Sequence, residues 1–310
     1  MENKAARRPL DATAFGIMLV LCLCWGFQQV AMKLAAPDIS TVMQIALRSG
    51  FAAVVIGAYL LWKSGLSQFR DGSIGPGLIA GLLFTMEFLF IAWAINFTYA
   101  SHVSVFVYTS PIWSALGLHL LLPEERMSRA QWLGVVVAFI GIGVAFFGRG
   151  DTPGAGASNM LLGDFLALLG GMSWGLTTVV IRTTRISEAP AARTLFYQVA
   201  VATILMLLVA AVTGATHMEF TQTAVVSLGF QSVIVTLVTF LVWFWMLKRY
   251  LASRLGILSF MTPLFGVVSA VIVLHEPVDA NFAIGALLVL AGILIVNSSE
   301  LVRRRVAAKV

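Results

Sequence analysis

Ten stretches of this 310-residue chain are long and apolar enough to cross a bilayer as helices. The hydrocarbon core offers no water to backbone N–H and C=O groups, so a crossing segment must satisfy them internally. About 20 consecutive apolar residues do this as a single helix. The stretches run approximately over residues 12–34, 41–62, 75–95, 101–121, 130–148, 160–181, 194–213, 222–246, 253–274 and 280–297. Turn-forming residues separate them, among them Pro37-Asp38, Pro123-Glu124-Glu125, the Gly-rich 148–156 segment, Ser187 to Pro190 and Glu276-Pro277. The composition agrees: 59% of residues are hydrophobic and 11% charged, mean hydropathy is +0.94, and a soluble domain carries roughly 25% charge. The sequence predicts an all-α integral membrane protein.

The net charge of +6 is not a nucleic-acid footprint, because the basic residues lie between apolar runs and form no stripe. They act instead as an orientation signal. With ten helices and the N-terminus inside, seventeen of the twenty Lys and Arg residues fall on the inner side, only Lys33 and Arg149 fall outside, and Arg48 lies within the second helix. Cytoplasmic loops carry this excess, so both termini are expected in the cytoplasm. Lys4, Arg7 and Arg8 resemble the start of a signal peptide, but the apolar stretch after them is of full spanning length and has no convincing A-x-A site. Cys22 and Cys24 lie inside the first helix and read as packing residues.

An internal repeat orders these helices. Trp25-Gly26 precedes Lys33 as Trp174-Gly175 precedes Arg182, Ala100-Ser101 precedes Pro111 as Ala252-Ser253 precedes Pro263, and Pro111 precedes Glu124 as Pro263 precedes Glu276. Gly134 and Gly141 match Gly285 and Gly292. Each copy holds five helices, an odd number, so the second enters the membrane from the opposite side. The expected units are residues 1–150 and 151–310, two inverted five-helix repeats with a substrate site between them near the midplane.

The paired stretches PIWSALGLHLLLPEERMSRAQWLGVVVAFIGIGVAFFG and PLFGVVSAVIVLHEPVDANFAIGALLVLAGILIV resemble two EamA repeats of the drug/metabolite transporter superfamily. The resemblance implies a ten-helix, exporter-like protein of a bacterial inner membrane with a cavity between its halves. Family members export amino acids and other small metabolites, aromatic amino acids among them. One departure is Pro277 after Glu276, where the first copy has Glu125.

Ionisable residues inside a bilayer usually face a cavity or a partner, since insertion costs about 2.5 to 3.5 kcal/mol each. Glu87 lies near the centre of the third helix, and Arg48 seven residues into the second, about 3 to 5 Å apart in depth. They are expected either to pair or to leave Glu87 protonated; a static tie between helices is the structural alternative. Gln28, Gln29, Tyr108, Thr109, Trp174, Thr177, Thr178, Tyr197, Gln198 and Gln231 are candidates to line the cavity, with interhelical hydrogen bonding as their other reading. Within this set the expected substrate-binding or coupling residues are Glu87, Arg48, Gln28, Tyr108, Trp174, Thr178, Gln198 and Gln231. Pro111 and Pro263 are expected to break or kink their helices as hinges. Gly134, Ala138, Gly141 and Ala145 form a small-residue stripe, a packing surface within the chain or in a dimer. Glu124 and Glu276, at helix ends, are expected to be solvated, and His102, His217 and His275 to sit in outer loops.

Gly171-Met172-Ser173-Trp174-Gly175 has the G-x-S-x-G spelling of a nucleophile elbow, but it falls within a spanning helix. His217, the nearest downstream base, lies roughly 15 Å away in height. No metal motif or P-loop occurs, so neither metal nor cofactor is expected. The expected activity is secondary transport: export of small metabolites, amino acids or their analogues, by alternating access, with protons as a candidate coupling ion. The expected partners are a small-molecule substrate and the lipid bilayer, not nucleic acid, with monomer and homodimer both open. A multidrug or lipid-related carrier is the alternative within the class; an intramembrane serine hydrolase and a receptor-like protein are the alternatives outside it.

Overall fold

The computed structural model describes residues 11–65, 69, 71–147, 157–250, 255 and 258–307. The basic cluster at Lys4, Arg7 and Arg8, Arg149, and the Ala252-Ser253 pair lie outside them. Among the described residues the architecture is helical, with an isolated antiparallel bridge between Ile39 and Met218. Helix α1 spans Ala12–Ala35, α2 Thr41–Ser64, α3 Ile74–Phe97, α4 Ala100–Val107, α5 Ser110–Leu121, α6 Arg129–Phe147, α7 Ala157–Thr183 and α8 Ala191–Thr213. Then follow α9 over Gln222–Gly229, a π-helical stretch over Phe230–Thr239, α10 over Phe240–Arg249, α11 over Met261–Leu274 and α12 over Ala280–Ala307.

Eight of the helical segments are long and apolar enough to cross a membrane; the shorter Met261–Leu274 and Ala280–Val296 are apolar as well. Their ends are held by local chemistry. The Asp11 carboxylate accepts from Ala14 N at 2.7 Å, Ser40 Oγ from Met43 N at 3.2 Å and Thr221 Oγ1 from Ala224 N at 3.1 Å, so each caps donors that a helix start leaves unpaired.

One expected span is interrupted and another changes its helix type. The fourth breaks between α4 and α5 at Tyr108-Thr109, and Pro111 stands in the first turn of α5, where its missing N–H costs nothing. Pro263 occupies the first turn of α11 in the same way. Both prolines therefore open a helical segment rather than bend a continuous one. In the eighth span the π-helical stretch lies between α9 and α10, with Thr236 Oγ1 donating to the carbonyl of Gln231 five residues back at 2.8 Å.

The closest helix crossings fall on glycine. A Cβ added at Gly141 would stand 2.6 Å from Val289 N and 2.7 Å from Gly285 O, and one at Gly134 2.7 Å from Gly292 O. The small-residue stripe on α6 is thus buried against α12 of the same chain, within the protomer and not in a dimer. Gly26 lets α1 cross α11 at Thr262 and Gly266, with a built Cβ 2.7 Å from Thr262 O. Gly175 lets α7 cross α5 at Ser110 and Ser114, with a built Cβ 2.8 Å from Ser110 O. The two Trp-Gly pairs thus do the same job: each removes a side chain where its helix meets the segment behind a matched proline. Helix α3 packs along α7 and α8, and α2 along α8, which leaves a looser seam where the π-helical stretch faces α1 and α2.

Candidate functional site

A cavity of about 50 Å³ lies at this seam, lined by Trp25 and Gln28 of α1, Arg48 and Ser49 of α2, Phe84 and Phe88 of α3, Leu195 and Val199 of α8, and Val235, Thr236 and Phe240. That volume admits a few waters, since one needs about 10 to 15 Å³. Trp25 is held against the far wall by its indole N–H, which donates to Thr239 Oγ1 at 2.8 Å.

Arg48 is the cavity's charge. It is 4% exposed and makes neither a hydrogen bond nor an ion pair among the described residues; its guanidinium carbon lies 4.2 Å from the centroid of the Phe88 ring. The expected direct pair with Glu87 does not form. Successive side chains on a helix point about 100° apart, and Phe88 takes the direction facing Arg48. Glu87 is buried as well, with its backbone carbonyl against α7 at Gly170 and its side chain within electrostatic reach of Arg48. A buried guanidinium without a partner is costly unless something polar enters beside it. Its planar fork suits a carboxylate, and the rings around it suit an apolar or aromatic body.

The other candidates separate. Gln28 lines the cavity with Arg48. Gln231 is fully buried, donating to Gln44 Oε1 at 2.9 Å and Ser227 Oγ at 3.1 Å, an interhelical tie. Tyr108 and Trp174 form an edge-to-face pair at 5.2 Å beside the α4–α5 break, apart from the cavity lining. Thr178 and Thr177 donate back to their own helix, at Trp174 O and Ser173 O. Gln198 is half-buried on α8 between Tyr197 and Val199, with no hydrogen bond among the described residues. Tyr197 packs against Gly77 and shares a hydrogen bond with Ser73 Oγ at 3.0 Å, so it braces α8 on α3. Gln29 is buried with its Oε1 unsatisfied. Ser173 is buried and donates to Leu169 O at 2.9 Å, with no base beside it, which removes the nucleophile reading.

A second polar cluster is buried at the Lys33 end of the bundle, and it includes Glu276, which was expected to be solvated. Glu276 is 6% exposed. Its Oε1 accepts from Lys33 Nζ at 3.0 Å and Ala100 N at 2.8 Å, and its Oε2 from Ser101 N at 3.0 Å and Ser101 Oγ at 2.9 Å. Lys33 Nζ also donates to Thr98 O at 2.6 Å, and the Thr98 hydroxyl donates to Asp164 Oδ1 at 2.5 Å. His102 lies within α4, not in a loop: Nδ1 is 3.0 Å from Asp164 Oδ1 and the ring stacks on Phe282 at 3.8 Å. Four regions distant in sequence meet here, around residues 33, 98–102, 164 and 276–282, so spacing carried no signal for it. The one available hint was a polar residue, Asp164, within an apolar run. His217 and His275 contribute backbone features instead, a carbonyl that accepts from Ser40 N and a left-handed turn at φ 53°. Cys22 is buried with its thiol on Leu258 O, and Cys24 is half-buried. Among the described residues no group of three or more His, Cys, Asp or Glu could hold a metal.

The fold is thus helical and multi-pass, with a small cavity that holds a buried arginine among aromatic rings. A sequence model of the EamA-like transporter family matches the chain twice, over residues 13–147 and 161–298. The chain therefore belongs to the EamA-like transporter family, a family of transporters and not of enzymes. It is similar to "Uncharacterized transporter YoaV" of Bacillus subtilis, 26% identical over 93% of this chain and 98% of that one. It is also similar to "Probable amino-acid metabolite efflux pump" of Salmonella typhimurium, 24% identical over 90% of this chain and 93% of that one. A solved crystal structure shares the fold across 95% of this chain and 99% of its own, with TM-score 0.63 and 20% sequence identity.

Proposed function

We propose that this protein is a secondary carrier of a bacterial inner membrane that exports small amphipathic carboxylates, amino acids or their analogues, by alternating access. Residues 1–150 and 151–310 would be two inverted five-helix halves making ten crossings, with both termini in the cytoplasm. The observation that carries the substrate class is Arg48, a buried guanidinium with no hydrogen bond or ion pair among the described residues, in a cavity walled by Trp25, Phe84, Phe88 and Phe240. A substrate carboxylate would complete the guanidinium, Gln28, Ser49 and Thr236 would offer neutral hydrogen bonds, and the rings would receive an apolar side chain. Glu87, one position from Phe88, would answer a substrate ammonium or a proton.

Support for export of amino-acid metabolites comes from the name of the Salmonella relative, and support for two swapped crossings from Gly26 and Gly175. The test is counterflow in proteoliposomes loaded with single amino acids, at two pH gradients. Accumulation of a labelled aromatic or aliphatic amino acid is expected, falling by about tenfold or more for Arg48→Gln, since charged hydrogen bonds are worth about 1.5 to 3 kcal/mol. Full counterflow by that variant would remove the carboxylate site. A proton gradient with no effect, or Glu87→Gln with an unaltered pH response, would remove proton coupling. A neutral or cationic drug carried in preference would favour the multidrug alternative.

A further inference from the structure

The two ends of the bundle carry ion pairs of one design and unequal strength. At one end Lys33, the last basic residue of α1, meets Glu276 just beyond α11. At the other Arg182, near the end of α7, meets Glu125 just beyond α5 at 2.6 Å. Each pair joins the end of a Trp-Gly helix to the loop after the proline-opened helix that it crosses. Lys33 and Arg182 occupy matched positions; Glu276 matches Glu124, yet its partner role at the far end is taken by Glu125, the residue that stands where Pro277 does.

The Lys33 end is the more elaborate. Glu276 is inserted into the first turn of α4, filling the donors of Ala100 and Ser101 with a charge of the sign favoured at a helix N-terminus. It is delivered by His275, whose left-handed backbone is sterically unfavourable for a residue with a side chain. Thr98 joins Lys33 to the buried Asp164–His102 pair, so α1, α3, α4, α7 and the loop after α11 are tied at one point. The Arg182–Glu125 pair is a single contact with side chains 54% and 21% exposed, a kind that contributes little.

We infer that Lys33, Glu276 and the first turn of α4 form the latch that closes the cavity to one face of the membrane, and that Arg182 and Glu125 form its lighter counterpart at the other face. The inference rests on the alternating-access reading above, in which the Lys33 end is the outer one. Separation of α11 from α1 and α4 there must withdraw Glu276 and release four hydrogen bonds at once, so the outer opening is the controlled step.

The test is accessibility of the cavity. A Val199→Cys reporter in the cavity wall is introduced with Cys22→Ala and Cys24→Ala, which removes both native thiols, and is labelled with a membrane-impermeant thiol reagent applied to either face of oriented vesicles. Glu276→Gln and Lys33→Met are each expected to raise the outer labelling rate roughly tenfold as the population shifts toward the open form. Ser101→Ala, which removes one bond, should raise it by less, and it carries the test if the charge variants do not fold. Glu125→Gln should raise labelling from the inner face instead. Exchange to Lys33→Glu with Glu276→Lys should not restore closure, because a lysine cannot accept from the α4 amides, whereas Arg182→Glu with Glu125→Arg should behave as the parent. Outer labelling unchanged in a folded, transporting Glu276→Gln protein overturns the latch and leaves the carrier reading standing. Labelling that rises in vesicles unable to transport any substrate upholds the latch and removes the carrier reading.

Discussion

Asp71, in the turn between α2 and α3, shows how a single side chain outside the apolar spans sets a pH response. Its carboxylate accepts from Ser73 N at 3.0 Å and pairs with Arg193 in the first turn of α8. The Ser73 hydrogen bonds first, and then the Arg193 guanidinium, hold its carboxyl below the usual carboxylate range. A depressed folded pKa contributes stability above the unfolded value of about 3.9, and that contribution is lost as pH falls through the folded value. The thermal midpoint of Asp71→Asn in detergent is therefore expected to lie slightly below the parent's at pH 7 and to converge on it as pH drops below about 4. The gap should be small, because Asp71 is 46% exposed. A gap of constant size down to acid pH would assign the effect to something other than this ionisation.

Among the helical elements, the glycines of α6 give opposite expectations within one turn. A methyl at Gly141 meets backbone atoms of α12 at 2.6 and 2.7 Å, which cannot turn aside, whereas one at Gly143 meets nothing within 4 Å. Gly141→Ala should destabilise by about 1 to 3 kcal/mol, the range for overpacking, while Gly143→Ala should leave the thermal midpoint unchanged or raised, since alanine is the better helix former. Equal midpoints for the two variants would mean that α6 and α12 do not meet along this stripe. Gly26 and Gly175 repeat the logic at the α1–α11 and α7–α5 crossings, which explains why a Trp-Gly pair occurs in both halves.

For the whole molecule, the bias of Lys and Arg predicts a topology that fusions can read. A fluorescent protein that matures only in the cytoplasm should be bright when attached at the C-terminus. An alkaline phosphatase, active only outside, should be active when fused after residue 150. The reverse pattern would overturn both the orientation and the odd number of crossings per half. Much of the fold was legible in the sequence: helix existence, most boundaries to within a few residues, and the matched prolines and glycines all follow from local hydropathy and turn chemistry, since a bilayer leaves a chain few choices. Residues 101–121 were read as one helix because hydropathy is blind to a break that keeps its residues apolar, and it is equally blind to the π-helical stretch inside the continuous helix of the eighth span. Of the candidate site, Arg48 and Gln28 reached the cavity, while Gln231 and Thr178 turned out to be tied to helix neighbours. The sequence by itself determined that this chain crosses a membrane many times and carries a buried arginine. Only the tertiary structure decided that Arg48 lies on the Phe88 ring without an ion pair to Glu87, and that Glu276 is a buried cap on α4. Contacts of that kind depend on helix rotation and on partners 175 residues away, as from Ser101 to Glu276, which no local pattern encodes.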